Sequence, residues 1–449
     1  MALAQCIATS IVPERTKRQL IVDISELVQR DVKTGIQRVT RALLQEIVLN
    51  PPEGWQVEPV YATTDEPGYR YARRFMSRFL GTPEDWAENA PLEAWPGDVF
   101  LGLDLHHLVV PTQQEFLNVL RRHGVRLYFI VYDLLPVLQP EVFPVGARAG
   151  HQRWLETITR FDGVLAISQA VADEMYRWLE TFGEARERPY ALNWFHLGAD
   201  VDNSAPTRGL SADVQDGIDK LAQRPTFLMV GTIEPRKGYL QTIAAFDQIW
   251  AQGTDMNLVI VGKEGWVRLP DADRSDIPHT VRALRTHAEL GKRLFWFEGI
   301  SDEDLERVYA ASTCLIAASH GEGFGLPLIE AARHGLPLLV RDIPVFREVT
   351  GDQAYFFPDG CEPAVIGEAV QAWLSLFEQG QHPSSDTLPH QTWKDSARQV
   401  LDAILGNTAP YKTWLPDGVR ATEEPNRACM PKSAKDVAAP YAPPASKAC

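Results

Sequence analysis

Cysteine is scarce in this chain and poorly spaced for chemistry. The five, Cys6, Cys314, Cys361, Cys429 and Cys449, form no CxxC pair and no Cys/His cluster. Neither a zinc site nor a disulfide framework is supported, and reduced thiols are the expectation. Basic residues are also short, 44 against 59 acidic, which leaves a net charge of −15. Nucleic acid is therefore excluded as the main ligand, because no basic stripe exists to neutralise its phosphates. Long apolar runs are missing too. The longest, LYFIVYDLLPVL at 127–138, is interrupted by Asp133 and Pro136. It is too short to cross a bilayer and reads as a buried parallel strand. The opening residues, MALAQCIATSIVPERTKR, lack the apolar core of a secretory signal. No GxGxxG follows the first strand, which argues against a NAD-dependent dehydrogenase.

What is present is α/β in pattern. At 449 residues, with 45% apolar and 23% charged, the chain is long enough for two or three cores. Short β-rich runs alternate with helical periodicity: 19–25, 98–103, 126–134 and 163–168, then 226–231, 257–262, 294–299, 313–319 and 336–342. A polar, Pro- and Gly-broken stretch at 201–224 separates the groups. The expectation is two Rossmann-like, doubly wound domains, 1–205 and 206–385, facing across a cleft. A helical segment at 386–418 packs back on the first domain, and an Ala/Pro-rich disordered tail fills 419–449.

In such sheets ligands bind at the strand C-termini. VGTIEPRKGY (230–239) places Arg236 and Lys237 between a strand and a helix, an arrangement suited to an anion or to a plain basic turn. SHGEGFGLPLIEAARHG (319–335) is a Gly-rich loop running into a helix that Pro327 opens. Its backbone amides suit a diphosphate. Yet Glu322 and Glu330, separated by seven residues, put two acids on that loop. A ligand carrying both phosphates and hydroxyls reconciles them, as a nucleotide sugar does. Thr34 and Gln37 form a T-x-x-Q capping box before a helix. Asp271 and Asp273 make a DxD, but in a polar loop with no strand before it, which reads as solvated.

These pieces resemble the retaining glycosyltransferases of the GT-B type, family 4, in a mannosyltransferase-like branch. The match is carried by VGTIEPRKG, LVIVGKEGW, FEGISDEDLERVYAAS, the Glu-x7-Glu loop and RDIPVFREVTGDQAYFF, in that order. A looser match runs through DVKTGIQRVTRALL, VYDLLPVLQPEVFP, LAISQAVADEM and FHLGAD. The resemblance implies that Glu322 meets donor-sugar hydroxyls and Glu330 the ribose. Arg236 and Lys237 would hold the diphosphate, with Gly231 and Thr232 beside them. Gly323, Phe324, Gly325 and Leu326 would present backbone amides, and Thr34 and Gly35 would close over the same phosphates.

Two departures stand out. Thr232 occupies a place where many relatives have Arg. Tyr132–Asp133 replaces the His-Asp that often ends the corresponding strand, so no catalytic histidine carries over. His106 and His107, with His196, Asp200, Tyr132 and Asp133, are candidates for the acceptor side or cleft. The expected activity is metal-independent transfer of a sugar with retention, best fitting mannose from GDP-mannose, with no further cofactor. The expected acceptor is a hydroxyl of a bacterial surface glycan or lipid-linked oligosaccharide. UDP- or dTDP-sugars remain alternatives, as does a catalytically degenerate scaffold in a polysaccharide assembly complex. A phosphorylase or nucleotide-sugar epimerase is a further rival. The expected location is the cytoplasm, with peripheral contact to the inner membrane face left open.

Overall fold

The structure, a computed structural model, describes residues 17–31, 35–83, 88–200, 209 and 211–416. The expected tail at 419–449, the boundary at 205 and Thr34 with its capping box lie outside the described residues.

The first sheet contains β1 (Arg18–Asp23), β2 (Trp55–Tyr61), β3 (Arg70–Tyr71), β4 (Val99–Gly102), β5 (Arg126–Val131), β6 (Gly163–Ala166) and β7 (Tyr190–Trp194). The second contains β8 (Thr226–Val230), β9 (Asn257–Val261), β10 (Leu294–Phe297), β11 (Cys314–Ala317), β12 (Leu338–Arg341) and β13 (Tyr355–Phe357). A last strand, β14 (Lys412–Trp414), returns to the first sheet and pairs antiparallel with β7. Strand orders are β14-β7-β6-β5-β4-β1-β2-β3 and β10-β9-β8-β11-β12-β13. Among the described residues only the edge pairs of strands β14–β7 and β2–β3 are antiparallel. The central strands are near-continuous apolar runs, buried on both faces because helices cover each side.

In each sheet the chain order reverses once, between β1 and β4 and between β8 and β11. Crevices for ligands open at such reversals. Contacts between the halves come from segments that follow strands of both sheets. Ser168 Oγ donates to the Gly323 carbonyl at 2.8 Å, and Gln139 Nε2 to the His320 carbonyl at 3.1 Å. Glu348 accepts from the amides of Gln169 and Ala170, both at 2.7 Å. It thereby neutralises the positive end of the helix Gln169–Phe182 from the other half.

The helix Trp393–Leu405 begins with a capping box of Thr392 and Asp395. It buries Trp393, Ala397, Val400 and Ile404 and packs on the helix Gly35–Leu49. Leu401, placed on the same face by periodicity, is only partly covered. Cys314 is free and buried, whereas Cys361 is disulfide-bonded, so the expectation of reduced thiols fails there. Among the described residues no helix is long and apolar enough to cross a membrane.

Candidate active site

The reversal between β8 and β11 gathers the charged residues of the Gly-rich loop. After β8 the chain makes a single tight turn, Pro235–Lys237, and Gly238 with φ +73° starts the next helix. The turn points Arg236 and Lys237 at the loop that follows β11. Arg236 Nη1 donates to Glu322 Oε2 at 2.9 Å and to the Gly321 carbonyl at 2.9 Å. Lys237 Nζ and Ser319 Oγ both donate to Glu322 Oε1, the latter at 2.7 Å. Burial alone would raise the Glu322 carboxyl, but the two cations and these hydrogen bonds outweigh it and hold it down at about 2. Arg236 is also held by Glu234 at 2.9 Å, and its charge is strengthened by Glu322, Glu234 and Asp133 against the cost of burial.

Glu330 lies on the helix Leu326–Arg333 and is buried. Arg38 Nη1, from the first half, donates to its Oε1 at 2.7 Å, and the Tyr309 hydroxyl donates to its Oε2 at 3.1 Å. Arg38 sits one turn into the helix whose start is Gly35, so that start is held near the helix after β11; Gly35 itself is exposed. Gly325 begins the Glu330 helix with φ +100°, a backbone region that disfavours a side chain. Gly323 has a different reason to be glycine. A Cβ there would lie 2.0 Å from the Tyr132 carbonyl oxygen of the other half. Phe324 is buried, its ring 5.3 Å from that of His196, and Leu326 is partly exposed. Gly231 has its carbonyl bound by the Tyr239 hydroxyl at 2.6 Å, and Thr232 is exposed beside it.

Two of the cleft candidates, Tyr132 and Asp200, are engaged by protein groups. Tyr132 points into the first core, with its hydroxyl donating to the Leu103 carbonyl at 2.8 Å and 3.1 Å from Thr40 Oγ1, because burial leaves it no other partners. Asp200 accepts from the Trp393 amide at 2.7 Å at the start of the C-terminal helix. His196 is at the seam, 2.7 Å from Glu348 Oε1. Asp133 does stand near the cations: burial and the Glu322 charge raise its carboxyl, and Arg236 opposes them.

At the other reversal, burial pushes Asp23 up to about 6 and Asp104 to about 7. Asp104 Oδ1 is buried with no hydrogen-bond partner. His106 is buried. Its Nδ1 accepts from the Val109 amide at 3.2 Å, so a neutral ring carries its proton on Nε2. That Nε2 is 3.2 Å from Glu26 Oε2, within ion-pair range but out of line for a hydrogen bond. Burial depresses the ring to about 4, which keeps it neutral. His107 is exposed beside it.

Sequence reasoning missed Arg38, Tyr309, Ser319 and Glu348 as partners of the site. All four lie in the motifs quoted above; Arg38, Tyr309 and Glu348 act from other elements, while Ser319 sits on the same loop as Glu322, three positions before it. Asp271 of the DxD pairs with Arg274 at 3.1 Å, in a short turn at the surface.

Two doubly wound parallel sheets, meeting at their strand ends with a cation pair at one reversal, define a GT-B fold. Solved structures agree. A sucrose-phosphate synthase from Thermosynechococcus elongatus superposes with a TM-score of 0.55 at 16% identity, covering 87% of this chain and 97% of that one. HepE of Anabaena, in complex with UDP, gives 0.51 at 15% identity, covering 86% and 95%. The chain matches the family Glycosyl transferases group 1 over residues 215–384. It is 40% identical over 391 residues to the serotype-specific mannosyltransferase WbdA of Escherichia coli, covering 86% of this chain and 45% of the relative. The chain thus spans about half the length of the curated relatives it matches most extensively.

Proposed function

We propose that the chain transfers a hexosyl group, mannose from GDP-mannose, to a hydroxyl of a surface glycan or lipid-linked oligosaccharide. The anomeric configuration is retained and no metal takes part. The observation that carries this reading is the Glu322 carboxylate clamped by Arg236 and Lys237 at a strand reversal. Cations and an acid share one small space, which suits a ligand whose phosphates take the cations and whose hydroxyls take the acid. The mannosyl choice is supported by the similarity to a protein named a mannosyltransferase.

In this reaction the bond between the anomeric carbon and the diphosphate oxygen breaks. Positive charge grows on the sugar ring while negative charge grows on the leaving phosphate. Arg236 and Lys237, fixed before the donor arrives, stabilise the second charge more in the transition state than in the ground state. Glu322, ionised throughout the physiological range, accepts from sugar hydroxyls and adds negative potential near the ring. The acceptor hydroxyl attacks the face the phosphate leaves and gives its proton to a phosphate oxygen.

The test is a thermal-shift panel of GDP, UDP, dTDP and ADP, each with and without EDTA. A nucleotide at a hundred times its Kd adds roughly 2.7 kcal/mol of stability. A selective GDP shift indifferent to EDTA supports the reading. A selective UDP shift moves the donor class, and no shift with any nucleotide favours a scaffold.

A further inference from the structure

On the flank of the cation loop away from Glu322 lies a second arrangement that the donor chemistry leaves unused. The loop after β9 is clipped to the cation loop: the Ile233 amide donates to the Lys263 carbonyl at 2.8 Å, and the Gly265 amide to the Ile233 carbonyl at 3.2 Å. The next residue, Trp266, has a left-handed backbone with φ +46°. Tryptophan rarely adopts this conformation, and such strain collects at sites of function.

The Trp266 ring meets Phe143 of the first half, with centroids 5.8 Å apart and planes tilted by 39°. The segment leading into Phe143 is held to the other half at two points. Gln139 is bonded to the donor loop at His320, and the Glu141 carbonyl accepts from Ser275 Oγ at 3.4 Å. Both rings are half-buried. Two residues on, Arg268 is close enough for its charge to act on the Glu26 carboxyl, as Arg30 does. Glu26 in turn stands beside the neutral His106 at the β1–β4 reversal. Aromatic faces from both halves therefore meet on the flank of the cation loop, with Arg268 two residues on from Trp266 and within electrostatic reach of Glu26.

A pyranose ring presents apolar C–H faces bordered by hydroxyls. Aromatic rings bind the first and charged or polar side chains the second. A purely lipidic partner has no use for a carboxylate in its contact. We propose that Phe143 and Trp266, with Glu26, form the subsite that holds pyranose units of the acceptor glycan. The subsite rests on the transferase reading above. In the sheet order β9-β8-β11 it lies on the β9 flank of the cation loop, whereas the acids assigned to the donor follow β11.

The test is isothermal titration of the full chain with a soluble α-mannotetraose and, separately, with GDP. In Trp266→Ala and Phe143→Ala the oligosaccharide should bind about tenfold more weakly, the equivalent of about 1.4 kcal/mol. Trp266→Phe should recover most of that loss, and GDP affinity should change by less than about twofold in all three. Unchanged oligosaccharide affinity in Trp266→Ala overturns the proposal. So does a parallel loss of GDP binding, which would make Trp266 a prop for the cation loop. Wild-type chain that binds GDP but no mannotetraose removes the subsite and leaves the transferase reading standing. Mannotetraose bound without GDP keeps the subsite and removes the donor assignment. If Trp266→Ala instead abolishes sedimentation with phosphatidylglycerol vesicles while glycan binding persists, the surface is a lipid contact and the proposal fails.

Discussion

Arg38 and Glu330 join the two halves of the molecule at 2.7 Å across 292 positions of sequence. With the Tyr309 hydroxyl on its other oxygen, Glu330 has both oxygens engaged by protein. Glu322 is in the same condition, with Arg236, Lys237 and Ser319 sharing its two oxygens. Two acids on a phosphate loop are thus counter-ions for cations that would otherwise be buried unpaired, a costly state. On the proposed function, donor binding is an exchange. Phosphate oxygens replace carboxylates on the cations, and sugar and ribose hydroxyls replace cations on the carboxylates.

The exchange predicts an unusual outcome for Arg38→Ala. If ribose hydroxyls and Arg38 compete for Glu330, removing the arginine should tighten GDP binding several-fold. Stability should fall by about 1–3 kcal/mol, since a mostly buried carboxylate loses its ion pair. Titration calorimetry and thermal unfolding separate the two effects. Weaker GDP binding would mean that Arg38 assists the nucleotide rather than competing with it.

Glu322→Gln should lower transfer by at least about a hundredfold while leaving GDP binding nearly intact, the loss expected when a transition-state contact is removed. Unchanged turnover would end its assignment to the sugar. Its pH signature is separate. The folded-state carboxyl, at about 2, lies below its ordinary value of 4.5. Its ionisation therefore stabilises the fold fully above the unfolded value, and this contribution is lost as pH falls toward 2. The difference in unfolding free energy between wild type and Glu322→Gln should be on the order of 3 kcal/mol at neutral pH and shrink between about pH 5 and 2. A pH-independent difference would place the loss in packing instead.

The sequence carried the sheets better than their edges. Central strands such as NLVIV and RLYFIV stand out because burial on both faces leaves only apolar residues. The edge strands β3 and β14, only two and three residues long, have no such pattern, and Pro59 interrupts β2. At the site, Arg236, Lys237, Glu322 and Glu330 were legible because each lies in, or on the helix just after, a loop whose Gly and Pro content marks it. The pairings of Glu348, Arg38 and Asp200 were not, since their partners lie 152 or more positions away and no local spacing encodes that. Position 132 misled for a related reason. A residue at the end of a strand can turn its side chain into the core and leave only its carbonyl at the seam, as Tyr132 does.

Glu348 offers a test of how firmly the halves are joined. It accepts two amide hydrogen bonds at the start of the helix Gln169–Phe182 and lies 2.7 Å from His196 Nε2. Glu348→Ala should cost about 1–2 kcal/mol through the lost cap and helix-dipole contact. GDP affinity should hold, because these contacts are separate from the cations. An unaltered melting temperature would show that water caps the helix equally well.

Two glycines separate a structural from a functional requirement. At Gly323 an added Cβ would meet the Tyr132 carbonyl at 2.0 Å, and the atom in the way is backbone that side-chain rotation cannot move. Gly323→Ala must therefore push the donor loop away from the first half, at a cost of about 1–3 kcal/mol, and should reduce transfer with it. At Gly35 an added Cβ meets nothing within 4 Å, and the residue opens a helix where alanine is favoured. Gly35→Ala should be neutral or slightly stabilising by thermal unfolding. If the start of that helix closes over the donor diphosphate, as the resemblance implies, Gly35→Ala should still slow transfer, because a methyl group then stands where phosphate must approach. Full activity in Gly35→Ala would leave the closing role to other residues, while a stable Gly323→Ala would mean that the two halves can separate without loss.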